Sequence, residues 1–209
     1  MIRAKERSDE KIQAWIKTQY PALAKRAEEE KARIFWGDET GIQNHDQTGR
    51  SYALKGKTPV VKNTSKKFKS SMISALSNRG ELNFMLYDGA LNVKLFIEFL
   101  KRLIRQQQGR KCFLIVDNLK VHHAKKVKRF LSFPLIRKRL EIHYLPPYAP
   151  DYNPDELLNN DLKQQLRQRP FPQNKDTLLN SANTVLEAIQ NQPERIQSYF
   201  RHESLKYAA

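Results

Sequence analysis

Five consecutive apolar residues, Cys112 to Val116, constrain the fold of this chain more than any other stretch. Such a run fits a strand that is buried on both faces, as in a parallel sheet covered by helices. Asp117 follows it directly. Apolar segments at 33–38 and 140–145 predict two further strands.

The rest of the chain alternates turn signals with amphipathic segments. Apolar runs at 69–76 and 82–87 flank Asn78-Arg79-Gly80, which predicts a β-hairpin. A strand cluster followed by alternating helix and strand predicts one mixed α/β domain. Helices are expected at 8–32 (capped by Ser8 and divided at Pro21), from Asn92, over 123–133, from Asn153, and over 174–200 with a break near Pro193. Turns and short strands are expected over 39–57, and an edge strand at 58–61.

Composition excludes several classes of protein. The chain has 209 residues and a net charge of +16, with 39% hydrophobic residues, which is enough for a core. One cysteine, Cys112, excludes an internal disulfide framework and a cysteine-based zinc ribbon. No segment approaches a membrane span or the apolar part of a signal peptide. We therefore expect a soluble protein of a reducing compartment with a polyanionic partner, nucleic acid before membrane surface.

The positive charge is concentrated in two blocks. Residues 50–69 carry seven basic residues and no acid, and residues 101–139 carry thirteen against Asp117 alone. One interpretation is a set of solvated helix faces. The other is a phosphate-binding surface around an acidic pocket.

Three acids each follow an apolar segment, and they define that pocket. Asp38 and Asp117 end predicted strands, and Glu156 follows a proline-rich loop after the third. Acids at the ends of adjacent strands repel one another and raise each other's pKa. A carboxylate cluster of this kind is suited to hard divalent cations such as Mg²⁺ or Mn²⁺.

Each acid also has a structural interpretation. Asp38 could be a turn residue, and Asp117 could form a simple Asx-turn with Asn118. Glu156 could belong to a capping box in which Asn153 is the N-cap. Asp155 precedes Glu156 directly, so it is an alternative third acid.

Three stretches match a known family together. They are Trp36–Ile42 (WGDETGI), Ile115–Ala124 (IVDNLKVHHA) and Leu145–Glu156 (LPPYAPDYNPDE), with Leu162-Lys163 beyond. On these stretches the chain resembles the catalytic domain of the DDE transposases of the mariner-like superfamily, in its bacterial insertion-sequence branch. The resemblance covers roughly residues 30–170, and the third stretch is the most specific.

The resemblance implies a fold, a site and a reaction. The fold is a ribonuclease H-like mixed α/β sheet flanked by helices. The catalytic and metal-binding acids are Asp38, Asp117 and Glu156, which would hold two Mg²⁺ or Mn²⁺ ions. The reaction is metal-dependent cleavage of transposon ends and strand transfer into target DNA. The residues expected to support the site are Glu39, Asn118 and His122, and the candidate DNA contacts are Lys120, Lys55, Lys57, Lys66 and Lys67.

The resemblance also implies an organisation and partners. We expect an N-terminal helical extension at 1–32, a catalytic domain at 33–172 and a C-terminal helical extension at 173–209. The partners would be double-stranded DNA, a second copy on that DNA, and a separately encoded helix-turn-helix half. The protein would act in the bacterial cytoplasm, associated with the nucleoid.

Two other functions remain open at this point. The chain could be a catalytically incomplete remnant of a transposase that binds only DNA or a partner protein. It could also be a basic nucleic-acid-binding module in which the three acids are incidental.

Overall fold

One mixed five-stranded sheet organises the chain. The computed structural model describes residues 6–44, 54–57 and 66–209. The strand order is β3-β2-β1-β4-β5. β1, β2 and β3 pair antiparallel, whereas β1, β4 and β5 run parallel. The strands are β1 (Arg33–Gln43), β2 (Lys69–Leu76), β3 (Leu82–Tyr87), β4 (Cys112–Val116) and β5 (Leu140–Tyr144).

Helices cover both faces of this sheet. They are α1 (Asp9–Ala14), α2 (Tyr20–Glu29), α3 (Val93–Gln106), α4 (Lys125–Ser132), α5 (Pro134–Arg137), α6 (Asp155–Arg167), α7 (Lys175–Gln190) and α8 (Pro193–Tyr199). Short 3₁₀ turns occupy Pro150–Tyr152 and Glu203–Ala208. In the described part of the chain, no helix has the length and apolar character needed to cross a membrane.

The core lies on both sides of the sheet because side chains alternate along each strand. Phe35 and Leu114 point into a cluster with α3 and α4. Trp36 and Phe113 point into a second cluster with α2, α6, α7 and α8. Every residue of β4 is buried. The prediction of a parallel strand covered on both faces is confirmed, as is the ribonuclease H-like fold.

Two local expectations are wrong. β1 does not end at Asp38 but continues to Gln43, because residues 36–43 keep pairing with β2 after β4 has stopped. The N-terminal helix does not divide at Pro21. It runs on through a π-helical turn, Trp15–Gln19, just before a proline that cannot donate a backbone hydrogen bond.

Other expectations are confirmed or stand untested. The hairpin forms between β2 and β3, Asn92 caps α3, and α7 and α8 separate before Pro193. The edge strand expected at 58–61 lies outside the described residues. The division at 32 and 172 stays a prediction; helices from all three segments contribute to one core cluster.

Asp161 ties α6 to α8, and we expect this tie to be pH-dependent. Its carboxylate accepts hydrogen bonds from Arg195 Nε (2.8 Å), Arg195 Nη2 (2.7 Å) and the Tyr199 hydroxyl. Burial acts in the opposite direction, but these bonds hold the pKa of Asp161 below its ordinary value. Asp161→Asn should therefore cost about 1.5–3 kcal/mol of stability at pH 7.

A depressed pKa gives stability that is present above the ordinary Asp value, about 3.9, and that is lost as the pH falls through the lower folded value. The difference between wild type and Asp161→Asn in urea denaturation should therefore shrink from pH 7 to pH 3. An equal difference at both values would contradict the ionic role of Asp161.

Candidate active site

Asp38 and Asp117 lie side by side because of the register between β1 and β4. The last paired residues of the two strands are Trp36 and Ile115. Continuing that register by two residues puts Asp38 level with Asp117. Neighbouring strands are about 4.8 Å apart, so two carboxyl groups occupy the place where β4 stops.

The N-terminus of α6 brings Glu156 to the same place. One pocket of about 440 Å³ is lined by Asp38, Asp117 and Glu156 together. Its other walls come from Asn118 and from the loop that connects β5 to α6. The structure thus brings together the three acids that the sequence singled out, on three different elements.

Side-chain amides fix the loop between β5 and α6 against the sheet. Asn153 Nδ2 donates to the carbonyl of Gly37 (3.2 Å), and Asn118 Nδ2 donates to the carbonyl of Leu145 (2.7 Å). Gly37 has no room for a side chain, since a Cβ there would lie 2.9 Å from the Ser74 carbonyl oxygen. The approach of β1 to its neighbours therefore requires glycine beside Asp38.

The structural interpretations of the acids have different outcomes. Asp117 does form the Asx-turn, because its Oδ1 accepts from the Leu119 amide at 2.9 Å, and it lines the pocket as well. The capping box is wrong. The Asn153 amide donates to the carbonyl of Pro150 (2.8 Å) rather than to Glu156, so the carboxylate of Glu156 is left for the pocket.

Crowding of acids changes their protonation. Burial, followed by the charges of Glu156 and Glu39, raises the pKa of Asp38 to about 8. Burial also raises the pKa of Glu156, and the charges of Asp151 and Asp117 add to this rise while Lys163 opposes it. In the metal-free protein the cluster therefore carries less negative charge at neutral pH than its composition suggests.

His122 compensates the charge on the other face of the sheet. Its ring is 1% exposed and lies between two acids, with Nε2 2.9 Å from Glu39 Oε1 and Nδ1 3.2 Å from Asp117 Oδ1. Burial alone would lower the pKa of His122, but the bonds to these acids outweigh it and raise the pKa to about 9. Although burial opposes it, the bond from His122 lowers the pKa of Asp117. Glu39 and His122 thus lie within one hydrogen-bonded group with Asp117, and Asn118 follows Asp117 directly.

Two polar residues of α6 lie next to Asp38: Asn159, which the sequence did not single out, and Asp155, the alternative third acid. Asn159 Nδ2 donates to Asp38 Oδ2 at 3.3 Å, and Asp155, which is 0% exposed, accepts from the Ser74 hydroxyl at 2.9 Å. Burial, followed by the charge of Asp38, raises the pKa of Asp155 well above its ordinary value. The available signal was their spacing, because both continue the buried stripe of Leu162 and Leu166 on α6.

The candidate DNA contacts are all on the surface. Lys55, Lys57, Lys66, Lys67 and Lys120 are exposed, and Lys120 lies next to Leu119 of the pocket wall. Only part of the second basic block, residues 101–139, lies near the acids. The Cys112 amide donates to the Arg139 carbonyl (2.9 Å), so Arg139 lies at the start of β4, roughly 16 Å along the strand from Asp117.

Comparison with protein families decides the classification. Residues 33–179 match the family model described as DDE superfamily endonuclease. The chain belongs to the DDE superfamily endonucleases. This family typically carries out metal-dependent phosphoryl transfer. Among curated protein sequences, none matches the chain.

Solved mariner structures share the fold of this DDE endonuclease. The Mos1 mariner paired-end complex with Mn superposes with a TM-score of 0.69 at 16% identity, covering 99% of this chain and 63% of that chain. The Mos1 strand transfer complex gives a TM-score of 0.69 at 16% identity, with 99% and 62% covered. The isolated Mos1 catalytic domain gives a TM-score of 0.61 at 14% identity, with 99% and 97% covered. The chain spans less than two thirds of the transposase chains in the two complexes.

The donor chemistry of the pocket fits a divalent cation. Asp38, Asp117 and Glu156 offer carboxylate oxygens, the ligands that Mg²⁺ and Mn²⁺ prefer. Burial and neighbouring acids raise the pKa values of Asp38 and Glu156, so a bound cation would favour their ionised forms. A second group, Glu39, Asp117 and His122, has ligand atoms within 4.8 Å of one another. This second group shares Asp117 with the group of Asp38 and Glu156. A protonated His122 has no free lone pair for a metal ion, so protonation of His122 competes with binding of a cation by the second group.

Asp155→Asn tests whether Asp155 is a neutral structural acid of this DDE endonuclease. A raised pKa makes the wild type lose stability as the pH rises above the ordinary Asp value of about 3.9, by up to about 1.4 kcal/mol per pH unit. The amide lacks this loss, so without divalent ions the variant should be at least as stable as wild type at pH 8. Urea denaturation from pH 5 to pH 8 measures it, and a variant that is less stable at pH 8 would refute this role.

The matched change at the next residue, Glu156→Gln, separates the two candidates for the third acid. Mg²⁺ is expected to raise the melting temperature of the wild type. Glu156→Gln should abolish that rise, whereas Asp155→Asn should keep it. The reverse pattern would assign the third ligand to Asp155.

Proposed function

We propose that this chain is the catalytic part of a transposase of the bacterial insertion-sequence branch, which cleaves transposon ends and joins them to target DNA. One observation carries the proposal: Asp38, Asp117 and Glu156 line one pocket in a chain of the DDE superfamily endonucleases. Likeness to Mos1 complexes with transposon DNA supports the choice of substrate.

We assign Asp38, Asp117 and Glu156 as the ligands of two Mg²⁺ or Mn²⁺ ions. Bound there, the ions would activate the attacking hydroxyl group and stabilise the leaving oxygen of the scissile phosphodiester. The protein's own contribution is to prepare the ligands. His122 keeps Asp117 ionised through the contact at 3.2 Å, and Asn159 holds Oδ2 of Asp38. Asp155 fills the space behind Asp38 without adding charge if its carboxyl group is protonated.

The basic surface supports DNA as the partner. Exposed cations next to the pocket, Lys120 first, would neutralise phosphates on either side of the scissile bond. On α4 the exposed cations Lys125, Lys126, Lys128 and Arg129 have no salt bridge to a carboxylate among the described residues. Contacts between these cations and DNA phosphates would supply affinity rather than sequence specificity.

The remaining parts of the proposal concern context. We place the protein in the bacterial cytoplasm, associated with the nucleoid, because its substrate would be chromosomal DNA. Joining two transposon ends requires two active sites, so we propose that two copies assemble on DNA. A separately encoded helix-turn-helix half would supply recognition of the ends. We propose the same three-part organisation as above, with residues 33–172 as the catalytic part.

Plasmid nicking tests the enzymatic function. The protein should convert supercoiled plasmid to the open-circular form in Mg²⁺ or Mn²⁺, and Asp117→Ala should lower the rate by at least about 100-fold, since a metal ligand is lost. Asp176→Ala, an exposed acid on α7, is the control and should retain the rate. Wild-type protein that binds DNA without nicking it would instead support the catalytically incomplete remnant.

Salt dependence tests the basic surface. Lys120→Ala should weaken binding to duplexes of unrelated sequence to a similar extent, because it removes one phosphate contact. The slope of log K against log salt should fall by about 1 in magnitude. Lys11→Ala, an exposed cation of α1 outside the two basic blocks, is the matched control. Fluorescence anisotropy at salt concentrations from about 50 to about 200 mM measures the affinity and its salt slope for both variants. An unchanged slope in Lys120→Ala would remove this residue from the interface.

A further inference from the structure

The turn Pro150–Tyr152, which precedes α6, is held by residues from both ends of the chain. The Ser204 hydroxyl donates to the carbonyl of Asp151 at 2.7 Å, and the Tyr207 hydroxyl donates to the carbonyl of Tyr152 at 2.6 Å. Arg7 Nη1 donates to the carboxylate of Asp151 at 2.7 Å. We call Arg7, Ser204 and Tyr207 the loop clamp.

The segment that carries Ser204 and Tyr207 is anchored to the rest of the protein. Leu205 and Ala208 are buried in the core, and Asn78 Nδ2 donates to the carbonyl of Ala208 at 3.0 Å. The ring of Tyr207 packs edge-on against Tyr20 of α2, with 4.9 Å between ring centroids. Because these anchors lie outside the turn, the two hydroxyl groups can restrain the turn rather than follow it.

The restrained turn leads directly to the third acid. Asn153 follows it and bonds to Gly37 beside Asp38, and Glu156 comes three residues later in the first turn of α6. A second cavity, of about 450 Å³, has Arg7, Asp151, Ser204 and Glu156 among its lining residues. Glu156 thus stands between this cavity and the pocket of the three acids.

Glu156 lies near two other acids as well as the cation of Lys163. Burial disfavours its ionised form, and Asp151 and Asp117 add to this effect while Lys163 opposes it. The pair of Arg7 with Asp151 offsets one of these charges, and Arg7 is largely buried, with a side chain that is 10% exposed. Without such contacts, repulsion would tend to move the start of α6 away from Asp117.

We propose that Arg7, Ser204 and Tyr207 are positioning residues that hold Glu156 within reach of the cation site formed with Asp38 and Asp117. All three lie outside residues 33–179, the part of the chain that matches the family model. The inference rests on the proposed metal-dependent function, because it assigns Glu156 as a metal ligand. The loop clamp acts on the turn: Ser204 and Tyr207 bond to its backbone carbonyls, and Arg7 bonds to the carboxylate of Asp151.

Paired tyrosine variants of the full chain test the loop clamp. Tyr207→Phe removes one hydroxyl group of the clamp and leaves the ring in place. Tyr199→Phe makes the same change at a hydroxyl group that bonds Asp161, away from the pocket. Ser204→Ala is a milder clamp variant that remains informative if Tyr207→Phe folds poorly. Mn²⁺ affinity by calorimetry and metal-free melting temperature are measured for each.

Both tyrosine variants should lose some metal-free stability, but only the clamp variants should lose Mn²⁺ affinity, by about tenfold, which is typical of residues that orient ligands. Wild-type affinity in Tyr207→Phe and Ser204→Ala would overturn the loop clamp while leaving the proposed function intact. An equal loss in Tyr199→Phe would overturn it too, because general loosening would then explain the effect. Wild-type protein that binds no Mn²⁺ would overturn the metal site and the clamp together.

Discussion

Repulsion between carboxyl groups at the point where β4 ends is the constraint on which the rest of the site depends. The register of β1 and β4 brings Asp38 level with Asp117, and α6 adds Glu156. Burial and the neighbouring acids raise the pKa of Asp38 to about 8. Part of the stabilisation that core packing provides is therefore used to hold these acids together. A sheet with covered faces can supply that energy, because packing on both sides fixes the strand positions.

The protein deals with this repulsion differently on the two faces of the sheet. On the face of α3, the buried His122 lies between Glu39 and Asp117 and supplies positive charge of its own. On the face of α6, the neighbours of Asp38 are polar but bring no cation: Asn159 donates a hydrogen bond and Asp155 is held by Ser74. A cation therefore bonds directly to the acids on the face of α3, whereas on the face of α6 Lys163 acts on Glu156 only through its charge. Asp117, at the strand end, belongs to both arrangements.

Some elements could be predicted because their signals are local. The apolar run of β4, the turn between β2 and β3 and the cap at Asn92 each lie within a few residues of what they determine. The end of β1 could not be predicted, since its later half is stabilised by β2, about thirty residues further along the chain. The capping box at Glu156 failed for a similar reason. The backbone amide of Asn153 donates to the carbonyl of Pro150, and the side chain of Asn153 donates to the carbonyl of Gly37 on a distant strand.

The sequence alone determined three features: the order of the acids, their positions after apolar segments, and the concentration of basic charge. Each of these depends only on residue type and short spacing. They singled out the three acids that line one pocket, and the family resemblance added His122 as a supporting residue. Tertiary structure alone decided that Glu156 faces the pocket and that Arg7, Ser204 and Tyr207 hold the turn before α6. Those contacts join residues more than fifty positions apart, and the sheet register and helix packing that create them leave no local pattern in the chain.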